Sequence, residues 1–272
     1  MEIIPNAKNM VVRDGVGMGI CVCQTKSIEI KRVYVEHPLL VLIWQGTKIL
    51  RCAGNEYLIR PGEAVAVADG QAVDVINRTG IGGDHCSCTI AFDGTLLSRN
   101  AELSPGRVVI APALHLPGVS AGFARAVETA LNAISDQAVP QRIARHQVSE
   151  LLLWLNEYGA CFRPEKAPTL TVKIRRHIGQ NASKEWNASS LAAAFAMSEA
   201  TLRRKLASEN TSVVEIVTDI RMSCALKLLQ STTQSVARIS QAVGYESPSH
   251  FSKLFRQRFG FTPTTLRERE QI

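Results

Sequence analysis

Between Ser235 and Pro263 the sequence SVARISQAVGYESPSHFSKLFRQRFGFTP places two short helical periodicities on either side of a glycine, and few folds accommodate that arrangement. Val236, Ile239 and Val243 recur at i, i+3 and i+7, one apolar stripe on a short helix that begins after Ser235 as N-cap. Gly244 ends it. A second helix begins at Ser247 as N-cap, with Pro248 at the first helical position, where the missing N–H has no intrahelical partner to lose. On this helix Phe251, Leu254, Phe255 and Phe259 gather on one face, and Ser249, Ser252, Lys253 and Arg256 on the other. An ordinary surface helix would show the same polar face. The tight glycine turn before it favours a helix-turn-helix, whose second helix carries small and basic residues in its first turns and enters the major groove of DNA.

Ile239, Gly244, Tyr245, Ser247, Phe251, Phe255, Gly260, Thr262 and Pro263, followed by Leu266 and Arg267, stand at the spacing of the signature of AraC/XylS-type transcription regulators, which this segment resembles. It departs at Ser240, where the family usually has Ala, and at Leu266, where an aromatic is commoner. The resemblance implies an all-α DNA-binding domain of two helix-turn-helix motifs joined by one long helix, and a gene regulator that activates through contact with RNA polymerase.

The upstream copy is present. Leu191, Ala194 and Phe195 form a short apolar stripe after Ser189 and Ser190, Ala196 and Met197 supply the turn, and Ser198 caps a helix whose inner face is Leu202 and Leu206. Ala200, Thr201, Arg203 and Arg204 point outward. Val213, Ile216, Val217, Ile220, Cys224 and Leu228 then recur at helical spacing without Gly or Pro, and Arg221, Ala225, Leu228 and Leu229 match the family's connecting helix. A helix of about 17 residues is about 25 Å long. That suits two recognition helices set close to one turn of double-stranded DNA, about 34 Å, apart.

The expected DNA-binding residues are therefore Ala200, Thr201, Arg203, Arg204, Ser249, Ser252, Lys253 and Arg256. Arg203 and Arg204 are the expected base readers, because a guanidinium pairs in bidentate fashion with guanine O6 and N7. Ser249, Ser252 and Lys253 offer shorter or less directional contacts. Arg256 suits phosphate, which sets register without reading sequence. Charge follows the same division: residues 168–272 hold 15 Lys and Arg against 8 Asp and Glu, a net of +7, while residues 1–167 hold 16 of each. One part of the chain is built to approach a polyanion.

The 272 residues allow two domains. Pro164, Glu165, Lys166 and Pro168 interrupt two helical patterns, which divides the chain into a regulatory domain, residues 1–163, and a DNA-binding domain, residues 168–272. The run from His37 to Arg78 combines β-branched segments with turn signals at Gly46, Ala53-Gly54-Asn55, Pro61-Gly62 and Asp69-Gly70, which suggests a β-barrel or sandwich. This arrangement resembles the cupin-like sensor domains often joined to AraC-type domains, with Pro61-Gly62 at the characteristic turn. Helices follow at Ala121 to Ala133 and Arg142 to Tyr158. In the second, Val148, Leu151, Leu152 and Leu155 form a stripe that is either core or, as the resemblance implies, a homodimer interface. The fold class is thus α+β.

Other chemistries are weakly signalled. His37 and His85 do not form the histidine cluster of a cupin enzyme, and Gly15-Val16-Gly17-Met18-Gly19 lacks the Lys-Ser/Thr of a phosphate loop. Seven cysteines, an odd number, read as reduced thiols of a cytosolic protein. Cys21 and Cys23, and Cys86 and Cys88, lie at i, i+2 in apparent strands, with metal binding or redox sensing as the alternative to buried core. No metal, cofactor or catalytic residue is assigned. No apolar run of membrane-spanning length and no signal region are visible, so a cytoplasmic protein without membrane contact is expected. The regulatory input is either a small molecule in the β domain or a partner protein on its surface. The competing class is a DNA-repair alkyltransferase with cysteine acceptors on the same DNA-binding module.

Overall fold

The structure, a computed structural model, describes residues 10–80, 82–101, 106–163 and 169–270. Two compact units divide the chain at Lys166 and Ala167. The expected linker residues Pro164, Glu165, Lys166 and Pro168 lie outside the described residues.

The first unit begins with nine strands: β1 (Val11–Arg13), β2 (Gly17–Gln24), β3 (Ile28–Val35), β4 (Leu39–Gln45), β5 (Thr47–Cys52), β6 (Asn55–Ile59), β7 (Ala64–Val67), β8 (Gln71–Arg78) and β9 (His85–Phe92). Helix α1 (Gly94–Ala101), strands β10 (Val108–Val109) and β11 (Ala113–Leu116), helices α2 (Ala121–Ser135) and α3 (Gln141–Glu157) and strand β12 (Ala160–Cys161) complete it. The strands form a six-stranded sheet ordered β1-β2-β9-β4-β7-β11, a four-stranded sheet ordered β3-β8-β5-β6, and the short parallel pair β10-β12. Of the two expectations, barrel or sandwich, the sheets realise the sandwich: no ladder joins the two larger sheets among the described residues.

The period-2 alternation of strands explains how the larger sheet is covered on both faces. Val41, Ile43, Val65 and Val67 point toward the four-stranded sheet and pack with its Leu50, Ile59 and Val73. Leu40, Leu42, Ala64, Ala66, Cys88 and Ile90 point the other way and pack beneath α2 and α3. Ser120 caps α2, its side chain accepting from the Phe123 amide. The stripe Val148, Leu151, Leu152 and Leu155 of α3 is buried in this same core, each such side chain contributing about 1.5–3 kcal/mol. Being spent on internal packing, these residues do not form a dimer interface. Arg13 fixes the end of β1 against the helices, with Nη1 donating to the Ala133 carbonyl at 2.7 Å and to the Asp136 carbonyl at 3.0 Å.

Four of the seven cysteines, expected as reduced thiols, are instead paired as disulfides. Strands β2 and β9 pair antiparallel in a register that sets Cys21 opposite Cys88 and Cys23 opposite Cys86, and both pairs are bridged as disulfides. The i, i+2 spacings show that each pair shares a face; the register of two strands more than 60 residues apart is invisible in the sequence. Cys52, Cys161 and Cys224 stay outside the disulfides.

The opposite face of β9 carries polar side chains into the sandwich. His85 and Ser87 are buried there with Lys48 of β5 and Asn77 of β8. Lys48 Nζ donates to Asn77 Oδ1, and the His85 and Ser87 side chains are bonded at 3.2 Å. Burial lowers the Lys48 pKa to about 7, and burial followed by the nearby Lys48 charge lowers that of His85 to about 4. Between pH 7 and the ordinary lysine value the unfolded chain binds a proton that the folded chain does not. Stability therefore rises with pH across that window, and the penalty is fully present below it. The urea midpoint of this unit should rise from pH 7 to pH 10, and Lys48→Met should flatten that rise; a variant that keeps the wild-type slope would show that Lys48 is not its source.

The second unit is helical: α4 (Leu170–Gly179), α5 (Ala188–Ala194), α6 (Glu199–Ser208), α7 (Val213–Ser231), α8 (Val236–Ala242), α9 (Pro248–Phe259) and α10 (Pro263–Glu270). Helix α4 adds to the sequence expectation, since Leu170, Val172 and Ile174 give it only a short apolar pattern. Its first amides are satisfied by a distant residue: Leu170 and Thr171 N–H donate to the Glu209 carboxylate at 3.1 and 2.9 Å. Burial works against the Glu209 charge, but these hydrogen bonds outweigh it and hold the pKa below the usual value.

Candidate nucleic-acid interface

Each half of the second unit is a short helix, a tight turn and a longer helix. In the first half α5 is capped by Asn187, whose side chain accepts from the Ser190 amide while the Ser190 hydroxyl accepts from the Asn187 amide. Ser189 and Ser190 thus lie inside the helix rather than before it, a correction of its start; Asn187 is as good a cap and lies two residues earlier. Leu191 is buried, but Ala194 is exposed, so the inner stripe is narrower than expected. Ala196 in the turn has a φ of 51°, left-handed backbone that a non-glycine residue tolerates only in tight chain reversals. Ser198 then caps α6, accepting from the Thr201 amide.

Leu202 and Leu206 seat α6 in a core with Ile174, Ile178, Leu191 and the α7 residues Val213, Ile216, Val217 and Ile220. The opposite face presents Ala200, Arg203 and Arg204 to solvent. Two expected contacts differ from the rest. Thr201 is half-buried, its hydroxyl bonded to that of Ser198 at 2.9 Å, so it serves the cap. Arg203 Nη2 donates to Glu199 Oε2 at 3.0 Å, one turn earlier, whereas Arg204 has no such side-chain partner among the described residues. Arg204 is the less encumbered reader.

The second half repeats the plan. Ser235 caps α8 by accepting from the Arg238 amide, and Ile239 is fully buried. Gly244 follows at φ 86°; a Cβ there would lie 2.8 Å from Arg221 Nη2 and 3.0 Å from the Ser183 carbonyl oxygen. Ser247 caps α9 with Pro248 in its first turn, as the sequence indicates. Phe251, Phe255 and Phe259 are buried, and Phe255 lies 5.7 and 4.6 Å from the rings of the other two. Leu254 is only partly buried. Ser249, Lys253 and Arg256 are exposed and Ser252 half-exposed. Ser252, Lys253 and Arg256, with Gln257 and Thr262, line an open groove of about 490 Å³ along α9.

Helix α7 joins the halves. Its 19 residues give a length of about 28 Å. Arg221, at its middle, donates to the carbonyl oxygens of Ala182, Gly244 and Lys184 at 3.1, 3.0 and 3.1 Å. It thus ties the turn of the second motif to the segment before α5 and sits 5.4 Å from the Tyr245 ring centre. Asp219, also on α7, faces Arg258 of α9 at 3.3 Å and Arg175 of α4 at 3.8 Å. These contacts hold the two motifs as one body.

A family model described as a helix-turn-helix domain matches residues 191–269. The C-terminal unit is an AraC-type helix-turn-helix domain. Its curated relatives include the HTH-type transcriptional activator CfaD and the DNA-binding dual transcriptional regulator Rns of Escherichia coli, each 37% identical over 91 residues and each covering 34% of this chain and 34% of the relative. The HTH-type transcriptional regulator GadX of Escherichia coli K12 is 34% identical over 102 residues, covering 38% and 37%. The chain thus matches about a third of the length of these relatives. Over both units the fold is similar to that of ToxT from Vibrio cholerae: the apo form of a single-residue ToxT variant has a TM-score of 0.72 at 12% identity, covering 94% of this chain and 98% of that one. A second ToxT structure, the wild type bound to an unsaturated fatty acid, gives 0.71 at the same identity and covers 94% and 96%. At that identity the likeness concerns the fold: a β-rich first unit and a helical second one.

Several residues that shape the AraC-type domain are not evident from the sequence. Arg258 falls on the basic side of the α9 pattern but is buried beside Asp219. His250 is exposed in the first turn of α9, where side chains of a recognition helix meet base edges, and its position after Pro248 is the signal that marks it. Arg267 is a family match whose side chain lies outside the described residues.

Proposed function

We propose that the protein is a sequence-specific DNA-binding transcription regulator that acts as an activator, with the first unit as its regulatory domain. The observation that carries this reading is the pair of exposed faces, on α6 and on α9, in the two halves that α7 joins. In this reading α6 and α9 enter successive major grooves on one side of the duplex. Arg204 and Arg203 read bases, Ala200 packs against a base edge, and Thr201 fixes the helix start. On α9, Ser249, Ser252 and Lys253 make the shorter contacts, and Arg256, on the rim of its groove, takes phosphate. Two motifs in one chain reach two grooves without a second copy.

Activation is supported by a relative named as an activator, and contact with RNA polymerase is the route that the family resemblance implies. The β sandwich is read as a cupin-like sensor. Its input is a small molecule, a reading supported by the fatty acid bound in one ToxT structure, or a partner protein. We read the chain as a regulator rather than an enzyme. The thiols of Cys52 and Cys161 are pushed up in pKa by burial, the reverse of what a cysteine acceptor in an alkyltransferase needs. No helix among the described residues is long and apolar enough to cross a membrane, and none of their His, Cys, Asp or Glu side chains group in threes to hold a metal ion.

Residues 168–272, with their own core and all of the net positive charge, should bind double-stranded DNA in isolation. Affinity should fall steeply with salt, because each neutralised phosphate releases counterions. The test is titration of labelled duplexes between about 50 and 200 mM salt, with about a 10³-fold loss expected for about six phosphate contacts. A folded fragment without salt-dependent binding would remove the basis of the reading.

A further inference from the structure

The two disulfides between β2 and β9 are not equivalent. Both close nearly the same loop, with sequence separations of 67 and 63 residues. In the chain-entropy view a disulfide stabilises by closing a loop in the unfolded chain. Once Cys21 is joined to Cys88, the Cys23–Cys86 bond closes only two residues on either strand and restricts the unfolded chain little further. The same strands are also held by an antiparallel ladder from Gly17 opposite Phe92 to Gln24 opposite His85. The converse holds equally, so either bond is redundant for stability once the other is closed.

Exposure is what separates the pairs. Cys21 and Cys88 belong to the core beneath α2, with Leu131 and Ile134 beside them. Cys23 lies toward the end of β2, next to the exposed turn at Thr25–Ser27, and is the one residue of the four that is not buried. Its partner Cys86 is buried and sits opposite Gln45, next to the Gly46 turn. A Cβ on Gly46 would lie 2.9 Å from the Asp84 carbonyl oxygen, so the chains pack closely there and leave no space for a side chain.

We infer that Cys23–Cys86 is a thiol–disulfide exchange site for low-molecular-weight thiols, opening and closing in the folded protein while Cys21–Cys88 stays shut. The incoming thiolate attacks Sγ of Cys23, the half-buried residue of the four, and forms a new S–S bond. The Cys23–Cys86 bond breaks, and its electron pair leaves on Cys86 Sγ, which takes up the proton given off by the incoming thiol. A second thiol then attacks the external sulfur of the mixed disulfide, releasing Cys23 as a thiol. The balance is one protein disulfide and two external thiols giving two protein thiols and one external disulfide, and the reverse closes the bond. The state of this pair follows the thiol–disulfide poise around the protein.

The test uses the full chain and reduced glutathione as the probe. After timed exposure under native conditions the reaction is quenched with acid, the protein is unfolded, and new thiols are alkylated and mapped by mass spectrometry. Alkylation should appear at Cys23 and Cys86 at least about tenfold faster than at Cys21 and Cys88, with an unchanged thermal midpoint. Cys86→Ser, which removes the leaving sulfur, should accumulate glutathione on Cys23 after treatment with oxidised glutathione, and Cys23→Ser should accumulate far less on the buried Cys86. The inference is overturned if both pairs open together, if opening requires unfolding, if Cys21–Cys88 opens first, or if all four cysteines are found as thiols in the oxidised protein.

Discussion

Phe255→Ala should destabilise the AraC-type unit by about 3 to 5 kcal/mol, the usual cost of deleting a buried phenyl ring and leaving a cavity. Phe255 is fully buried, and its ring touches those of Phe251, Phe259 and Phe261, with centroids 5.7, 4.6 and 6.0 Å away. Each of these contacts fixes α9, either along its own length or against the turn into α10, so the ring sets the orientation of the second recognition helix as well as its stability. For a unit of about a hundred residues the loss corresponds to a fall in melting temperature on the order of 20 °C. Calorimetry of the full chain should show the transition of the second unit moving down while that of the β sandwich stays. A shift of less than a few degrees would mean that the aromatic cluster does not carry this motif.

Where the chain declares its structure locally, the sequence is easy to read. Ser247 followed by Pro248, Gly244 between two apolar stripes, and Ser198 three residues before Thr201 are signals made by neighbours, and the observed caps match them. Residues whose role depends on distant partners are not legible. Arg221 matches the family's connecting helix, yet nothing near it in sequence shows that it gathers carbonyl oxygens from Ala182, Lys184 and Gly244. Arg258 looks like one more cation on a polar face until Asp219, on another helix, accounts for its burial. The cysteine spacings imply a shared face but not the register that joins β2 to β9. The stripe on α3 is apolar as expected, but periodicity alone does not say whether it faces its own core or a second molecule.

Arg204→Ala should cost about 1 to 3 kcal/mol on the specific site and relax preference at one base position, the loss of one bidentate guanine contact. Arg204 is exposed on the face of α6 opposite Leu202 and Leu206, and no ion pair among the described residues competes for its guanidinium. Arg203 already donates to Glu199, so Arg203→Ala should cost less than Arg204→Ala. Arg256→Ala should behave differently: it borders the groove along α9, so its loss should weaken specific and non-specific DNA about equally and reduce the salt slope by about one. Competition binding against a panel of single-base variants separates the two roles. If Arg204→Ala keeps the wild-type preference at every position, α6 does not read bases through this residue.

In the proposed function one chain places two recognition helices in successive major grooves, held by α7 and the Arg221 clasp. The most direct measurement is selection of bound duplexes from a random pool by the full chain, followed by footprinting of the selected sites. Two short preferred segments should emerge, their centres about one helical turn, roughly 10 to 10.5 base pairs, apart on one face of the duplex. Arg204→Ala should relax one segment and leave the other intact. A single preferred segment, two segments on opposite faces, or no preference in a folded protein would contradict this placement.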